Sequence, residues 1–348
     1  MTLAAITRTV LDEASTALQL RQALDNFALL CSDITGIVPD PGFDAWAQDT
    51  LLDDGVAINP AAAAHCIKDY VRSAVFIRAV YAALKTARAR FPHTPIQVLY
   101  AGCGPFATLL LPLLGEFIAG ELDIHLLDIH RRSLRSVQEL IAQFGCGGHR
   151  IHTIEADACS YQHPDKLHLI IAETMQKSLE QEPQFAVTAN LAPQLLPGGI
   201  FIPEKIEVEL CLAHLASEIK TFKNLNKLNP QLLVKAGERY PLATVFTLLP
   251  ALASRQLREA SRVQDSSKLE IVTAKITIPR LDDVASFDAL LFTRIQVFGQ
   301  YQLRDYEAEI TLPQQCHELA SGKPGDAYQA SYQLGSYPKF NMTRLSGT

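Results

Sequence analysis

The stretch "PIQVLYAGCGPFATLLLPLLGEF", residues 95–117, changes the texture of the chain. The short β-rich run "IQVLYAG" ends in a turn carrying Gly102 and Gly104, and an apolar run that reads as helix follows. Glycine has no Cβ, so such a turn can adopt positive φ and let a ligand approach the backbone closely. Farther on, "LDIHLLD" reads as strand and "RRSLRSVQELIAQFG" as a helix closed by Gly145. "IHTIEAD" and "LHLIIAE" are further strands, and "FAVTANLAPQLLPGGIFIPEKIEVELCLA" is helix, turn and strand. Strand and helix alternating at this spacing predict an α/β fold with a mostly parallel, doubly wound Rossmann-like sheet.

Upstream, residues 3–31 read as one helix with apolar positions at Leu11, Leu18, Leu20, Leu24 and 27–30. "GIVPDPG" at 36–42 breaks it, a second helical segment runs through Trp46 to Leu52, and a long helix, or two joined ones, leads into the sheet. Beyond about residue 205 the runs "IEVELCLAHL", "KLEIVTAKITI", "ALLFTRIQVFGQYQL", "DYEAEITLP" and "AYQASYQLG" alternate or are β-branched, with no regular helix between them. They predict an antiparallel sheet or barrel. The expected organisation is a helical extension over 1–58, a nucleotide-binding sheet over 59–204 and a β-rich, barrel-like domain over 205–348.

Composition narrows the function classes. The 348 residues are 48% hydrophobic and 20% charged, and the net charge is −6. No wide basic surface is implied, which argues against nucleic acid or anionic membrane and suits a cationic partner. Seven scattered cysteines without a C-x-x-C pair read as reduced thiols of a cytoplasmic protein. The opening "MTLAAITRTVLDEAS" carries acids early and lacks the apolar core of a secretory signal. "PLATVFTLLPALA" at 241–253 is too short and too broken by proline to span a bilayer.

Several residues could carry chemistry. Gly102-x-Gly104-x-x-Ala107 satisfies the dinucleotide pattern, equally resembles the first motif of methyltransferases that use S-adenosyl-L-methionine, and is also what a plain tight turn requires. Asp128 ends the next strand, 24 positions beyond Gly104, where an acid suits a ribose diol and equally suits a plain solvated helix start. Asp157 in "IEADA", at the next strand end, could serve the adenine side of a methyl donor. Arg72 in "KDYVRS" could fold back to clamp a ligand carboxylate through two parallel bonds, or belong to a charged helix face with a local Lys–Asp pair. "IIAETMQKSLEQEP", residues 170–183, places Glu173 and Glu182 nine positions apart after an apolar run. Like charges held close raise each other's pKa unless a cation sits between them; by itself "SLEQEP" reads as a solvated helix end.

Taken in order, "KDYVRS", "VLYAGCG", "LLDIH", "AETMQKSLEQEP" and "LAPQLLPGGIFIPEKIEVEL" resemble the motifs of protein arginine methyltransferases over roughly residues 60–210. The resemblance implies S-adenosyl-L-methionine as cofactor, with Arg72 on its carboxylate, Gly102 and Gly104 along the methionine, and Asp128 on the ribose. It sets Glu173 and Glu182 where that family's paired glutamates grip a substrate guanidinium. The chain departs from the family at Tyr100, where many members have an acid, at Pro105-Phe106, and at Ala63, with His65 two residues on. It also lacks a threonine-histidine-tryptophan loop, and Trp46 is its only tryptophan.

The expected activity is therefore N-methyl transfer to a guanidinium or amine, on a small-molecule or peptide cation. The alternatives are an O- or N-methyltransferase of an uncharged metabolite, a non-catalytic binding subunit crowded by Tyr100 and Phe106, and, more distantly, an NAD dehydrogenase. The resemblance also implies a homodimer arm in the β half, with 243–253 as candidate or else a core helix. No metal is expected: the histidines and cysteines show no ligand spacing, and His125, His130 and His317 read as strand, turn and loop residues.

Overall fold

A computed structural model describes residues 1–40, 49–218, 238–262, 269–281 and 284–345; Trp46 lies outside them. The expected single N-terminal helix is two, α1 (Leu3–Leu11) and α2 (Ala17–Thr35), because Thr16 starts α2 afresh in a capping box with Gln19. Ile6, Leu24 and Phe27 are buried. Arg78 closes the turn between the helices by donating to the carbonyls of Val10 and Asp12, each at 2.7 Å.

Residues 50–57, expected to continue a helix to Leu52, form a β-hairpin: β1 (Thr50–Leu52) pairs antiparallel with β2 (Gly55–Ala57). The cause is legible in Asp54-Gly55, a hairpin-turn dipeptide between two short apolar runs. The approach to the sheet is α3 (Pro60–His65), capped by Asn59, a 3-10 turn at Cys66–Lys68, and α4 (Tyr70–Arg90). Lys68 pairs not with its neighbour Asp69 but with Asp25 of α2, at 2.5 Å.

The parallel sheet consists of β3 (Ile96–Ala101), β4 (Leu122–Asp128), β5 (Arg150–Glu155), β6 (Leu167–Ala172) and β7 (Leu195–Ile202), in the order β5-β4-β3-β6-β7. Helices α4 and α5 (Arg131–Gln143) cover one face, burying Ile77, Val80, Val137 and Leu140 with Val98, Ile124 and Leu126. Helix α6 (Gln184–Leu191) covers the other, where Val187 and Leu191 meet Leu99, Leu127 and Ile170. The chain runs outward from β3 to β5 on one side and from β6 to β7 on the other, so strand order reverses between β3 and β6. Ligands of open α/β sheets sit at such a reversal, beyond the carboxyl ends of the strands.

One expected helix is missing. After the glycine turn, "FATLLLPLLGEF" makes turns and a 3-10 stretch, Leu111–Glu116. Ala107 at φ 42° and Pro112 interrupt α-helical hydrogen bonding there.

The β-rich remainder forms two antiparallel sheets. In one, β8 (Lys205–Ala213), β9 (Arg239–Leu248), β12 (Asp288–Phe298) and β13 (Tyr301–Leu303) lie in the order β13-β12-β8-β9, with β14 (Gln314–Gln315) also on β12. In the other, β10 (Ser261–Arg262), β11 (Leu269–Thr277), β15 (Ala327–Gln333) and β16 (Lys339–Arg344) lie in chain order. Phe246, Tyr332 and Phe340 join the sheets, and Phe185 of α6 packs on Phe246 and Tyr332 at 5.9 Å each. "DYEAEITLP" is not a strand but turns and a 3-10 step at Glu309–Thr311. The apolar segment 243–253 divides between β9 and a helix, α7 (Pro250–Glu259). Among the described residues, no helix is long and apolar enough to cross a membrane.

The hairpin docks through Gly55, where a Cβ would fall 2.7 Å from the backbone nitrogen of Pro183 and 2.9 Å from the carbonyl of Gln181. Gly55→Ala is expected to lower stability by about 1–3 kcal/mol, read as a drop in the urea midpoint at unchanged slope. An unchanged midpoint would show that the hairpin does not bear on the loop beneath it.

Candidate active site

One cleft opens at the carboxyl ends of β3, β4 and β6, with about 1320 Å³ between its atoms when the mouth is included. Arg72, Gly102, Gly104, Asp128, Asp157, Glu173 and Glu182 all line it. The hairpin roofs it with Leu52, Val56 and Ala57, and the β-rich part contributes Glu309 and Ile310. The two acids do not point apart into water, as a solvated helix end would require.

The glycine turn owes its shape to close neighbours. Gly102 sits at φ +67°, donates to the Leu127 carbonyl at 2.9 Å, and has no room for a Cβ, which would lie 2.5 Å from Thr174 Cγ2. Gly104, at φ +63°, donates its N–H to Asp128 Oδ2 at 2.9 Å. Asp128 Oδ1 accepts from the backbone N–H of His130 at 2.8 Å. The acid is thereby fixed at the lip of β4, and each oxygen keeps a second lone pair for a diol. Asp157 Oδ1 accepts from the Cys159 N–H at 2.8 Å, which orients it at the end of β5. Tyr100 and Phe106, 4% and 1% exposed, line the same cleft.

Charge is concentrated at the floor. Arg72 Nη2 forms an ion pair with Glu173 Oε1, and both side chains are 11% exposed. Burial alone would lower the Arg72 pKa, but Glu173, Cys66 and Asp69 outweigh it and hold the guanidinium firmly charged. Glu182 is pushed up to about 8, first by burial and then by the Glu173 carboxylate, with Arg72 opposing and Asp49 adding to the rise. At neutral pH it therefore carries a proton. Asp69 rises to about 6, again chiefly through burial, although Arg72 and the N–H of Glu309 favour its charged form. The Cys66 thiol, pushed to about 11 by burial, is no nucleophile at neutral pH.

The loop from Glu173 to Glu182 is strained. Ser178, Leu179 and Gln181 have φ of 56°, 55° and 65°, a region non-glycine residues avoid. Contacts from elsewhere hold it. Thr293 Oγ1 of β12 accepts from the Ser178 N–H (2.9 Å), and the Pro338 carbonyl accepts from the Gln181 N–H (2.9 Å). The Tyr332 hydroxyl donates to the Leu179 carbonyl (2.5 Å), the Val56 N–H to the Gln181 carbonyl (2.8 Å), and Gln314 to Glu180.

Gln184 does for Glu173 what these contacts do for the loop. Fully buried, it accepts from the N–H and hydroxyl of Thr174 (2.9 and 3.0 Å) and donates to the carbonyl of Ala172 (3.1 Å), bracketing Glu173 on both sides. Sequence reasoning passed over it because a glutamine opening a helix has no distinguishing pattern. The roofing hairpin, by contrast, was signalled by Asp54-Gly55.

No family model and no curated protein matches the chain. Among solved structures it is similar to the Trypanosoma brucei PRMT1 enzyme-prozyme heterotetrameric complex with AdoHcy, at 12% identity and TM-score 0.44, covering 81% of this chain and 96% of that one. It is also similar to the open conformation of Arabidopsis thaliana protein arginine methyltransferase 10, at 12% identity and TM-score 0.46, covering 77% and 85%.

Two outcomes follow from the geometry of the cleft. Gln184→Leu leaves the Thr174 N–H and Ala172 carbonyl without their partner and is expected to cost roughly 1–3 kcal/mol, seen in denaturant titration; a neutral effect would remove Gln184 from the support of Glu173. Glu182 keeps a proton in the folded chain up to about pH 8, whereas the unfolded chain loses it near pH 4.3. The stability this confers is complete below the lower value and is lost as pH rises through the upper one. Glu182→Gln should flatten that loss, on the order of 1.4 kcal/mol per pH unit, and melt above wild type at pH 8.5; parallel melting curves from pH 5 to 8.5 would contradict the buried placement.

Proposed function

We propose that this chain is an S-adenosyl-L-methionine-dependent N-methyltransferase acting on a guanidinium or amine nitrogen, in a small molecule or an arginine-bearing peptide. The observation that carries the reading is the meeting of Arg72, the glycine turn, Asp128 and both glutamates in one cleft at the strand-order reversal. The residues fit the cofactor. Gly104, where a Cβ would meet Ala63 Cβ only at 3.6 Å, leaves the turn open to a ligand, Asp128 is fixed with lone pairs to spare, and Asp157 lies beyond it for the adenine. Arg72 spends one nitrogen on Glu173, and the rest of its fork suits a ligand carboxylate. When bound, the cofactor supplies an electrophilic methyl group.

The chain's own part is to grip and orient the acceptor. Glu173 is held by Gln184 and Glu182 by the strained loop, so neither need reorganise when a cation enters. A cation beside Glu182 favours its charged form and draws its proton off. Two carboxylates then fix a planar guanidinium and localise its charge away from the nitrogen that reacts. Holding two reactants in attack geometry accounts for up to about 7–11 kcal/mol of barrier.

A second reading, a binding subunit without catalysis, draws on the Arg72–Glu173 pair, in which the cofactor's and the acceptor's binding groups neutralise each other. One set of measurements separates the two. Wild type, screened with arginine, small guanidines, amines and basic peptides, should release adenosylhomocysteine. Glu173→Gln should lower that rate on the order of 10²–10³-fold while calorimetric binding of adenosylhomocysteine is unchanged or tighter, because Arg72 is freed. Full activity in the variant would remove Glu173 from the reaction; wild-type binding without turnover on any acceptor supports the binding subunit.

A further inference from the structure

A second cluster lies on the face of the parallel sheet that α6 covers, away from the cleft. Asp123 and His125 are two residues apart on β4, so their side chains share a face. His152 on β5 is the register partner of His125. Asp123 Oδ1 lies 3.0 Å from His152 Nε2 and 3.6 Å from His125 Nε2, and all three atoms fall within 4.8 Å of one another. The two imidazoles stack at 4.8 Å with planes 13° apart.

We propose that Asp123, His125 and His152 bind one divalent transition-metal ion of the zinc class. Ligands about 2.0–2.1 Å from a tetrahedral ion stand roughly 3.3 Å from each other, and the carboxylate–imidazole separations bracket that spacing. Two imidazoles and one carboxylate select zinc, cobalt, nickel or copper over magnesium or calcium. Asp123 and His125 are each 13% exposed and His152 is 54% exposed, which gives a fixed base with an open entry side. Gln97 orients the base: its Nε2 donates to Asp123 Oδ2 at 3.3 Å, while its Oε1, 3.0 Å from His125 Nε2, is a further oxygen within reach. Arg150 Nη1 approaches Asp123 Oδ2 at 3.9 Å, on the oxygen the ion does not need.

The site has a structural consequence rather than a catalytic one. The ring of His163 packs edge-on against His125 at 4.3 Å, and its buried Nε2 has no hydrogen-bond partner. His163 lies in the segment that begins at Asp157, so an ion on the strands would stiffen the wall of the cleft from behind. Methyl transfer is not routed through it, because Asp123 lies at the opening end of β4, next to Leu122, and Asp128 ends the strand.

The test uses the 348-residue chain without a histidine tag. Stripped with a chelator, then given one equivalent of Zn²⁺ and desalted, wild type should retain about one zinc per chain by elemental analysis and gain a few degrees in Tm. The same preparation with Co²⁺ should show the visible absorption of a tetrahedral site. Asp123→Asn combined with His152→Ala, both at least partly exposed, should lose at least nine-tenths of the metal and the Tm gain. The single variant His152→Ala, monitored by circular dichroism, guards against misfolding and should lose most of the metal. Zinc retained equally by wild type and variants, or by neither, overturns the proposal. None of these readouts depends on methyl transfer.

Discussion

A buried cation is held between acids at the bottom of the cleft, and the surrounding architecture follows from that. An ion pair removed from water is costly unless its geometry is fixed and its remaining valences are satisfied. Arg72 is therefore placed in the first turn of α4 beside Asp69, and Glu173 directly after the last residue of β6, bracketed by Gln184. Glu182 joins them with its pKa raised, first by burial and then by the Glu173 carboxylate, so its neutral form is favoured. The site thus combines one strong pair with one acid whose charge depends on what arrives.

The two halves of the chain divide the labour unequally. The parallel sheet supplies the residues that would hold a nucleoside: a glycine turn, Asp128 and Asp157, each fixed by backbone hydrogen bonds within a few residues of a strand end. The acidic side of the cleft is built from both halves. Its acids come from the loop after β6, but the shape of that loop is imposed by Thr293, Tyr332 and Pro338 and by the hairpin.

Much of this was legible in the sequence wherever a local rule governs. The alternation of strands and helices gave the sheet, and seven residues chosen for their chemistry converge on one cleft. Local rules also explain most of the misses. The hairpin carried its Asp-Gly signal but lay next to a run of helical appearance, and Pro112 within "LLLPLLGEF" was enough to prevent an α-helix. What could not be read are features that exist only through tertiary contact: the left-handed residues of the acidic loop, the role of Gln184, and the approach of His152 to Asp123 across neighbouring strands. In each case the partners lie ten or more residues apart, and no periodicity connects them.

The strained loop also constrains when the site can come into being. Ser178, Leu179 and Gln181 hold unfavourable backbone angles only because Thr293, Tyr332 and Pro338 grip them, and those residues come from the last sixth of the chain. During synthesis the parallel sheet emerges long before the residues that clamp this loop, so the nascent chain has only half of the cleft. The shape of the acidic loop is then the final feature to mature, and a chain cut short in its closing strands would keep the sheet while the two acids wander apart.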